Sequence, residues 1–260
     1  MSLLFRLKKC YTKFLFNLSA SENFIYLAYY KFFYSPKRGS IEEFLDHYSR
    51  RNRLVTFLQI GANDGFTYDP LHKFIKRDNW KGIMLEPQPE VFNKFLIKLH
   101  RKRPEIIPLN AALDKRDGTK PLYQLVISNE RWATGLASFN KGVLVKKIKD
   151  GSLLKHIRRQ GITLPENEDD IISAHEVPTI SPETLLKKFN KECFKLLAID
   201  TEGFDFEILK MLDLGKISPE VILYEEVNLD AKTVRNCRKY LESHGYSCRA
   251  TGKDVLAVKK

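Results

Sequence analysis

The run Leu54–Gly65, LVTFLQIGANDG, constrains the fold more than any other stretch of the chain. Leu54 to Ile60 is apolar and rich in β-branched and aromatic residues, with only Thr56 and Gln59 polar. Such a run buries both its faces, as the strands of a parallel sheet do. It ends in Gly61–Ala62–Asn63–Asp64–Gly65, a turn whose two glycines permit positive φ and close backbone approach. A second short strand, Gly82–Leu85, then delivers Glu86, 21 residues after Gly65. A glycine turn after one strand and a carboxylate at the tip of the next describe a site for an adenosine-bearing cofactor, the acid pairing with ribose hydroxyls.

What is missing narrows the cofactor. A dinucleotide fold uses G-x-G-x-x-G so that backbone amides and a helix dipole reach a pyrophosphate. Here Asn63 stands at the second glycine position and Asp64 follows it. A carboxylate there repels a pyrophosphate but tolerates an ammonium and a sulfonium, which favours S-adenosyl-L-methionine over NAD. Gly61, Ala62, Asn63, Asp64, Gly65, Glu86 and Pro87 are the expected cofactor-binding set. The plainer alternative is a strand–turn–helix unit whose glycines only close the turn.

Four motifs in order extend the pattern: Ile60–Gly65, Trp80–Lys81–Gly82 with Glu86–Pro87, Asn110–Ala111–Ala112–Leu113, and Ile199–Asp200–Thr201–Glu202–Gly203. Together they resemble the FkbM-type methyltransferases over about Leu54 to Val258. The segment after Pro121 and the N-terminal segment depart from that pattern. The resemblance implies a Rossmann-like class I methyltransferase fold of the α/β class. Its sheet would be mostly parallel and seven-stranded, with helices on both faces and the last strand antiparallel. It also implies an S-adenosylmethionine-dependent enzyme acting on hydroxyls of sugars, glycans or polyketide-type acceptors, often in surface-polysaccharide biosynthesis. Asn110 and Ala111 would then approach the adenine ring, where small side chains leave room. Small residues that merely let a strand pack closely are the competing reading.

The organisation expected is a basic amphipathic helical extension at 1–50 and a methyltransferase domain at 51–260, with an insertion at about 128–176. At 260 residues and 43% hydrophobic content, the chain suits one α/β domain with an appendage. Its net charge of +12 is uneven, with ten Lys/Arg against four Asp/Glu in residues 1–53. That points to an anionic surface as partner, or to a solvated basic face. Leu4, Leu7, Tyr11, Phe14, Leu15 and Leu18 share one helical face, and Phe24–Tyr34 is a second apolar run. Neither reaches the roughly 18 residues that cross a bilayer. Tyr11, Lys13 and Asn17 break the apolar centre of a secretory signal. Residues 1–35 therefore either lie on an anionic membrane surface or pack on the domain. A cytoplasmic protein, peripheral to the inner face of the membrane in the first case, is the matching expectation. Cys10, Cys193, Cys237 and Cys248 form no CxxC pair and fit reduced thiols.

Proposed strands end in Asn63 and Asp64, Glu86, Asp200 with Glu202, and Glu225. Ligands gather at that edge of a parallel sheet, and strands disfavour acids otherwise. Asp200, Glu202 and Glu225 are the catalytic candidates, with Asp200 or Glu202 removing the acceptor's proton. Helix capping is the alternative for Glu202, and a helix-dipole interaction for Asp205. The same acids offer oxygen ligands to a divalent metal, which is left open with no ligand assigned. Trp132 and Thr134 are candidate substrate contacts, the indole as a platform for a sugar ring or else a core residue. A nucleic-acid methyltransferase is the charge-driven competitor. It lacks an Asn/Asp-Pro-Pro-Tyr run and any recognisable nucleic-acid module. A non-catalytic protein that keeps only the cofactor fold is the other alternative.

Overall fold

The computed structural model describes residues 3–165, 167–188 and 194–260. Ser181–Pro182–Glu183 reads in the sequence as the start of a helix ending near Asn190; that end lies outside the described residues, as does Cys193. In chain order the strands are β1 (Thr56–Ile60), β2 (Lys81–Leu85), β3 (Ile106–Leu109), β4 (Ala112–Leu113), β5 (Gly118–Leu125), β6 (Ile172–Ile180), β7 (Leu196–Ile199), β8 (Val221–Glu225), β9 (Tyr246–Thr251) and β10 (Asp254–Lys259). Four helices precede or follow β1: α1 (Leu3–Ala20), α2 (Phe24–Phe32), α3 (Ile41–Arg51) and α4 (His72–Asp78).

The main sheet has seven strands in the order β3-β2-β1-β7-β8-β10-β9. Every pairing from β3 to β8 is parallel, and β10 runs antiparallel between β8 and β9. This is the arrangement the family resemblance implies. The order reverses between β1 and β7, and at such a switch point a crevice opens beyond the carboxyl ends of the strands.

Both faces of the sheet are covered, which is why β1 reads as a nearly continuous apolar run. Leu58 and Ile60 face one core with Leu197, Ile199, Ile222, Tyr224 and Leu241. Phe57 faces the other, with Leu45 of α3, Phe74 of α4, Trp80, Leu196 and Leu223. The short helix that the sequence suggests over Pro70–Lys76 is α4, which starts two residues later at His72; Asp69 accepts hydrogen bonds from the backbone of Leu71 (2.7 Å) and His72 (3.3 Å) in the turn before it. In the sequence, Pro89 opens a helix through His100 with Val91, Phe92, Phe95, Leu96 and Leu99 on one apolar face; it forms, with a π-helical segment at Phe92–Leu96.

Residues 121–127 (PLYQLVI) read in the sequence as a strand; in the structure this strand is β5, shifted to Gly118–Leu125, and it belongs to a second sheet of order β4-β6-β5. Eight residue pairs join β5 antiparallel to β6, from Gly118↔Thr179 to Leu125↔Ile172. Beta6 also pairs parallel to β4, which leaves the main sheet directly after β3. Residues between β5 and β6 close their own core around Leu125, Ala133, Leu144, Ile157 and Ile172.

Helices α1 and α2 pack on the domain through a narrow face. Phe16 and Ala20 are buried against Leu99, with Phe66 and Phe95 at the edge. Ser19 Oγ and Tyr26 OH lie 3.1 and 3.3 Å from His72 Nε2. Between the two helices, Glu22 pairs with Lys76 and Arg103, at 2.5 Å in each case.

Candidate active site

The crevice is built where the tips of β1 and β7 meet backbone to backbone. Gly61 has φ +82°, and a Cβ there would sit 1.9 Å from the Asp200 carbonyl oxygen. The next turns hold Asn63 at φ +47° and Glu202 at φ +50°, both left-handed and neither glycine. Such strain outside glycine costs of order 1–2 kcal/mol per residue and gathers at functional sites. Gly61 and Ala62 both donate to the Leu85 carbonyl, at 3.0 and 2.9 Å, locking the turn to β2.

Glu86 follows from β2 and is almost wholly buried. Its Oε2 accepts from the Asn63 amide at 2.7 Å, and its Oε1 from the Gln88 amide at 2.8 Å and Gln88 Nε2 at 3.1 Å. Burial pushes this carboxyl up to about 7, against the pull of those donors. Asn110 Nδ2 donates to the carbonyls of Glu86 (2.8 Å) and Pro87 (3.1 Å), fixing the loop rather than lining the crevice. Asp64 turns away too, its Oδ1 accepting from Phe66 and Thr67 as a cap on the following turn.

The space enclosed is about 580 Å³, part of it open to solvent. Gly61, Asn63, Glu86 and Pro87 line one side, Ala111 and Ala112 another, and Asp200 with Glu202 a third. The remaining wall comes from the segment between β5 and β6, through Arg131, Thr134, Ser138 and Phe139. That wall is tied down by hydrogen bonds: the Thr134 carbonyl accepts from Gln88 Nε2 (2.9 Å) and Asn63 Nδ2 (3.2 Å), and Ser138 Oγ donates to the Glu202 carbonyl (2.9 Å). Thr134 thus meets the site through its backbone. Trp132 is not among the lining residues; its indole stacks on His156 with centroids 5.3 Å apart, inside the insertion's own core.

The acids converge as the strand tips require. Ligand oxygens of Asp200, Glu202 and Glu225 lie within 4.8 Å of one another. Asp200 Oδ1 is buried and has no hydrogen-bond partner among the described residues. Burial, then the charge of Glu225, holds both Asp200 and Glu202 above the ordinary carboxylate range. Asn228 Nδ2 bridges Glu202 Oε2 (2.6 Å) and Glu225 Oε2 (2.9 Å), and Lys253 Nζ sits 2.5 Å from Glu225 Oε1. Asp205 is fully buried and lifted to about 8, first by burial and then by Asp200. It brackets the two tips, accepting from Thr201 Oγ1 (3.0 Å), Gly203 N (3.3 Å) and Glu225 N (3.2 Å).

Sequence reasoning passed over Arg131, Gln88, Asn228 and Lys253. Lys253 had a usable signal: β10 pairs antiparallel with β8, so Asp254 lies opposite Glu225 and the preceding residue reaches its carboxylate. Arg131 carries a positive charge toward Glu86 and Asp200.

A seven-stranded sheet in this order, with its last-inserted strand antiparallel and an acid-rimmed crevice at the switch point, defines a Rossmann-like methyltransferase fold. The family model of the methyltransferase FkbM domain matches residues 59–248. The chain belongs to that family and is an S-adenosylmethionine-dependent methyltransferase. Among solved structures it is similar to the fibrillarin/Nop5p complex, at 15% identity and TM-score 0.37 over 80% of this chain and 72% of that one. It is also similar to the delta-N METTL16 methyltransferase domain, at 11% identity and TM-score 0.39 over 86% and 84%. A third is precorrin-6y C5,15-methyltransferase from Geobacter metallireducens GS-15, at 14% and 0.38 over 88% and 94%. No curated protein matches the chain.

The residues present fit the methyl donor. Glu86 offers a carboxylate beside small apolar walls at Ala111 and Ala112, and the far end of the crevice is acidic enough for a sulfonium and an ammonium. A divalent ion fits less well, because Lys253 and Asn228 already hold Glu225 and Glu202.

Proposed function

We propose that this enzyme methylates a hydroxyl of a sugar, glycan or related biosynthetic intermediate, with Asp200 as general base. The observation that carries the reading is the buried Asp200 Oδ1, without a hydrogen-bond partner among the described residues, on a residue that lines the crevice. S-adenosylmethionine supplies a methyl group on a sulfonium, and Glu86 and the Asn63 turn would hold it. An alcohol is a poor nucleophile until its proton leaves, so a carboxylate beside it, held above its usual pKa, is suited to the task. Orientation for in-line displacement would come from the closed wall of Arg131–Phe139 and the strained Glu202 turn. Glu202, fixed by Asn228, serves as the neighbouring acid. The family's habit of acting on sugar hydroxyls supports a role in surface-polysaccharide assembly in the cytoplasm.

The direct test is calorimetric titration with S-adenosylhomocysteine and, separately, NAD, followed by a panel of glycosides scored for release of S-adenosylhomocysteine. Binding of the first ligand alone and turnover on a hydroxylated acceptor are expected. Uptake of NAD instead, or turnover restricted to amines, overturns the proposal.

The pH dependence follows from the same geometry. The rate at low substrate is expected to rise as the base loses its proton, with an inflection above the ~4 of an exposed carboxylate. The negative charge of Glu225 helps keep that proton on. Glu225→Gln should therefore move the inflection down by about one unit, and Lys253→Met, which removes a nearby ammonium, should move it up by a similar amount. Inflections that stay put, or move in the same direction, rule out Asp200 as the titrating group.

A further inference from the structure

The apolar stripe read in α1 is not the face that packs on the domain. Leu7, Tyr11 and Phe14 are more than half exposed, while the buried side is Phe16, Ser19 and Ala20. Helix α2 repeats the arrangement. Tyr26 points inward, and Phe24, Ile25, Tyr29, Phe32 and Phe33 are 53–76% exposed. Two successive helices thus each leave their more aromatic side exposed among the described residues, where monomeric proteins rarely expose contiguous apolar patches.

The hairpin is also fastened in that orientation. Glu22 is clamped between Lys76 and Arg103, Lys102 Nζ donates to the Ser21 carbonyl (2.9 Å), and Lys98 Nζ to Asn17 Oδ1 (3.1 Å). Rolling the helices to bury Phe24 or Phe32 would break the Glu22 pairs and strand a buried lysine, which costs several kcal/mol by the usual rule for unpaired buried charge.

Charge selects the occupant. Residues 3–38 hold seven Lys/Arg and one acid, Glu22, which is turned inward. Arg6, Lys8, Lys13, Lys31, Lys37 and Arg38 are exposed around the apolar faces. A second copy of the chain would set like charge against like. An anionic surface that accepts aromatic side chains is a bilayer carrying acidic lipids, where Phe and Tyr settle at the headgroup level and lysines meet the phosphates. No described helix is long and apolar enough to cross a membrane. We propose that α1 and α2 form a peripheral docking surface for an anionic lipid bilayer.

The test is sedimentation of the full chain with vesicles of phosphatidylcholine alone or with about 30% phosphatidylserine. The comparison is a variant carrying Leu7→Ser, Phe14→Ser, Phe32→Ser and Phe33→Ser, whose melting temperature and S-adenosylhomocysteine affinity serve as folding controls. The parent chain is expected to sediment only with the anionic vesicles. The bound fraction should fall at least tenfold in the variant, and again in about 1 M salt, where screening shortens to ~3 Å. Parent protein left in the supernatant, or equal binding by the folded variant, overturns the assignment. A dimer or larger species in sedimentation velocity that the same substitutions dissolve, without vesicle binding, would overturn it in favour of a protein contact.

Discussion

Asp200→Asn is expected to lower turnover by roughly a thousandfold while S-adenosylhomocysteine affinity stays within about threefold, the range a lost general base produces. Asparagine keeps the shape of the side chain and removes only the proton acceptor. Glu202→Gln should cost less, about tenfold, because glutamine still accepts from Asn228 Nδ2. Stability should move the other way. Asp200 has a raised pKa in the folded state, so the native protein prefers it protonated and loses stability as pH rises from the unfolded value toward the folded one. At pH 8 Asp200→Asn escapes that loss and should melt a few degrees higher, since about 1 kcal/mol corresponds to ~2–4 °C at this chain length. Activity falling while stability rises is the signature of a group kept for chemistry. If both substitutions leave turnover intact with the methyl donor saturating, neither Asp200 nor Glu202 is the base.

How much of this was legible beforehand depended on how local the cause is. The strand and turn at 54–65, and Glu86 after them, are set by residues adjacent in sequence, and they were readable. So was the convergence of Asp200, Glu202 and Glu225, once strand tips were identified. The second sheet was not, because β6 is defined by partners as distant as Ala112 and Gly118, both opposite Thr179. Within the Arg131–Gly135 stretch, the sequence leaves Trp132 open between a sugar platform and a core residue. The structure turns Trp132 into the insertion's core and sets Arg131 and the Thr134 carbonyl at the crevice. Periodicity found the apolar stripe of α1, but a period cannot tell which stripe meets the domain. The inward face was chosen by Glu22 and His72, through contacts with α2, α4 and the segment after β2.

Gly61→Ala should be the most damaging single methyl group that can be added to the chain, and a matched control separates its two causes. Gly61 and Gly245 have nearly the same φ, +82° and +85°. Beside Gly245 no atom of the described residues lies within 4 Å of an added Cβ, whereas beside Gly61 it meets the Asp200 carbonyl oxygen at 1.9 Å and the carbonyl carbon at 2.8 Å. Gly245→Ala therefore reports the cost of left-handed φ alone, of order 1 kcal/mol and a melting point lower by ~2–4 °C. Gly61→Ala adds a collision with backbone, which cannot rotate aside as a side chain would. Relief requires the tips of β1 and β7 to separate, and those tips carry Asn63 on one side and Asp200 with Glu202 on the other. Destabilisation beyond about 4 kcal/mol is expected, in the range kept for severe core defects. Any soluble fraction should show neither S-adenosylhomocysteine binding by calorimetry nor turnover. Equal melting points for the two alanine variants would mean that β1 and β7 do not meet at this point, and the crevice described here would have to be rebuilt around a different pair of strands.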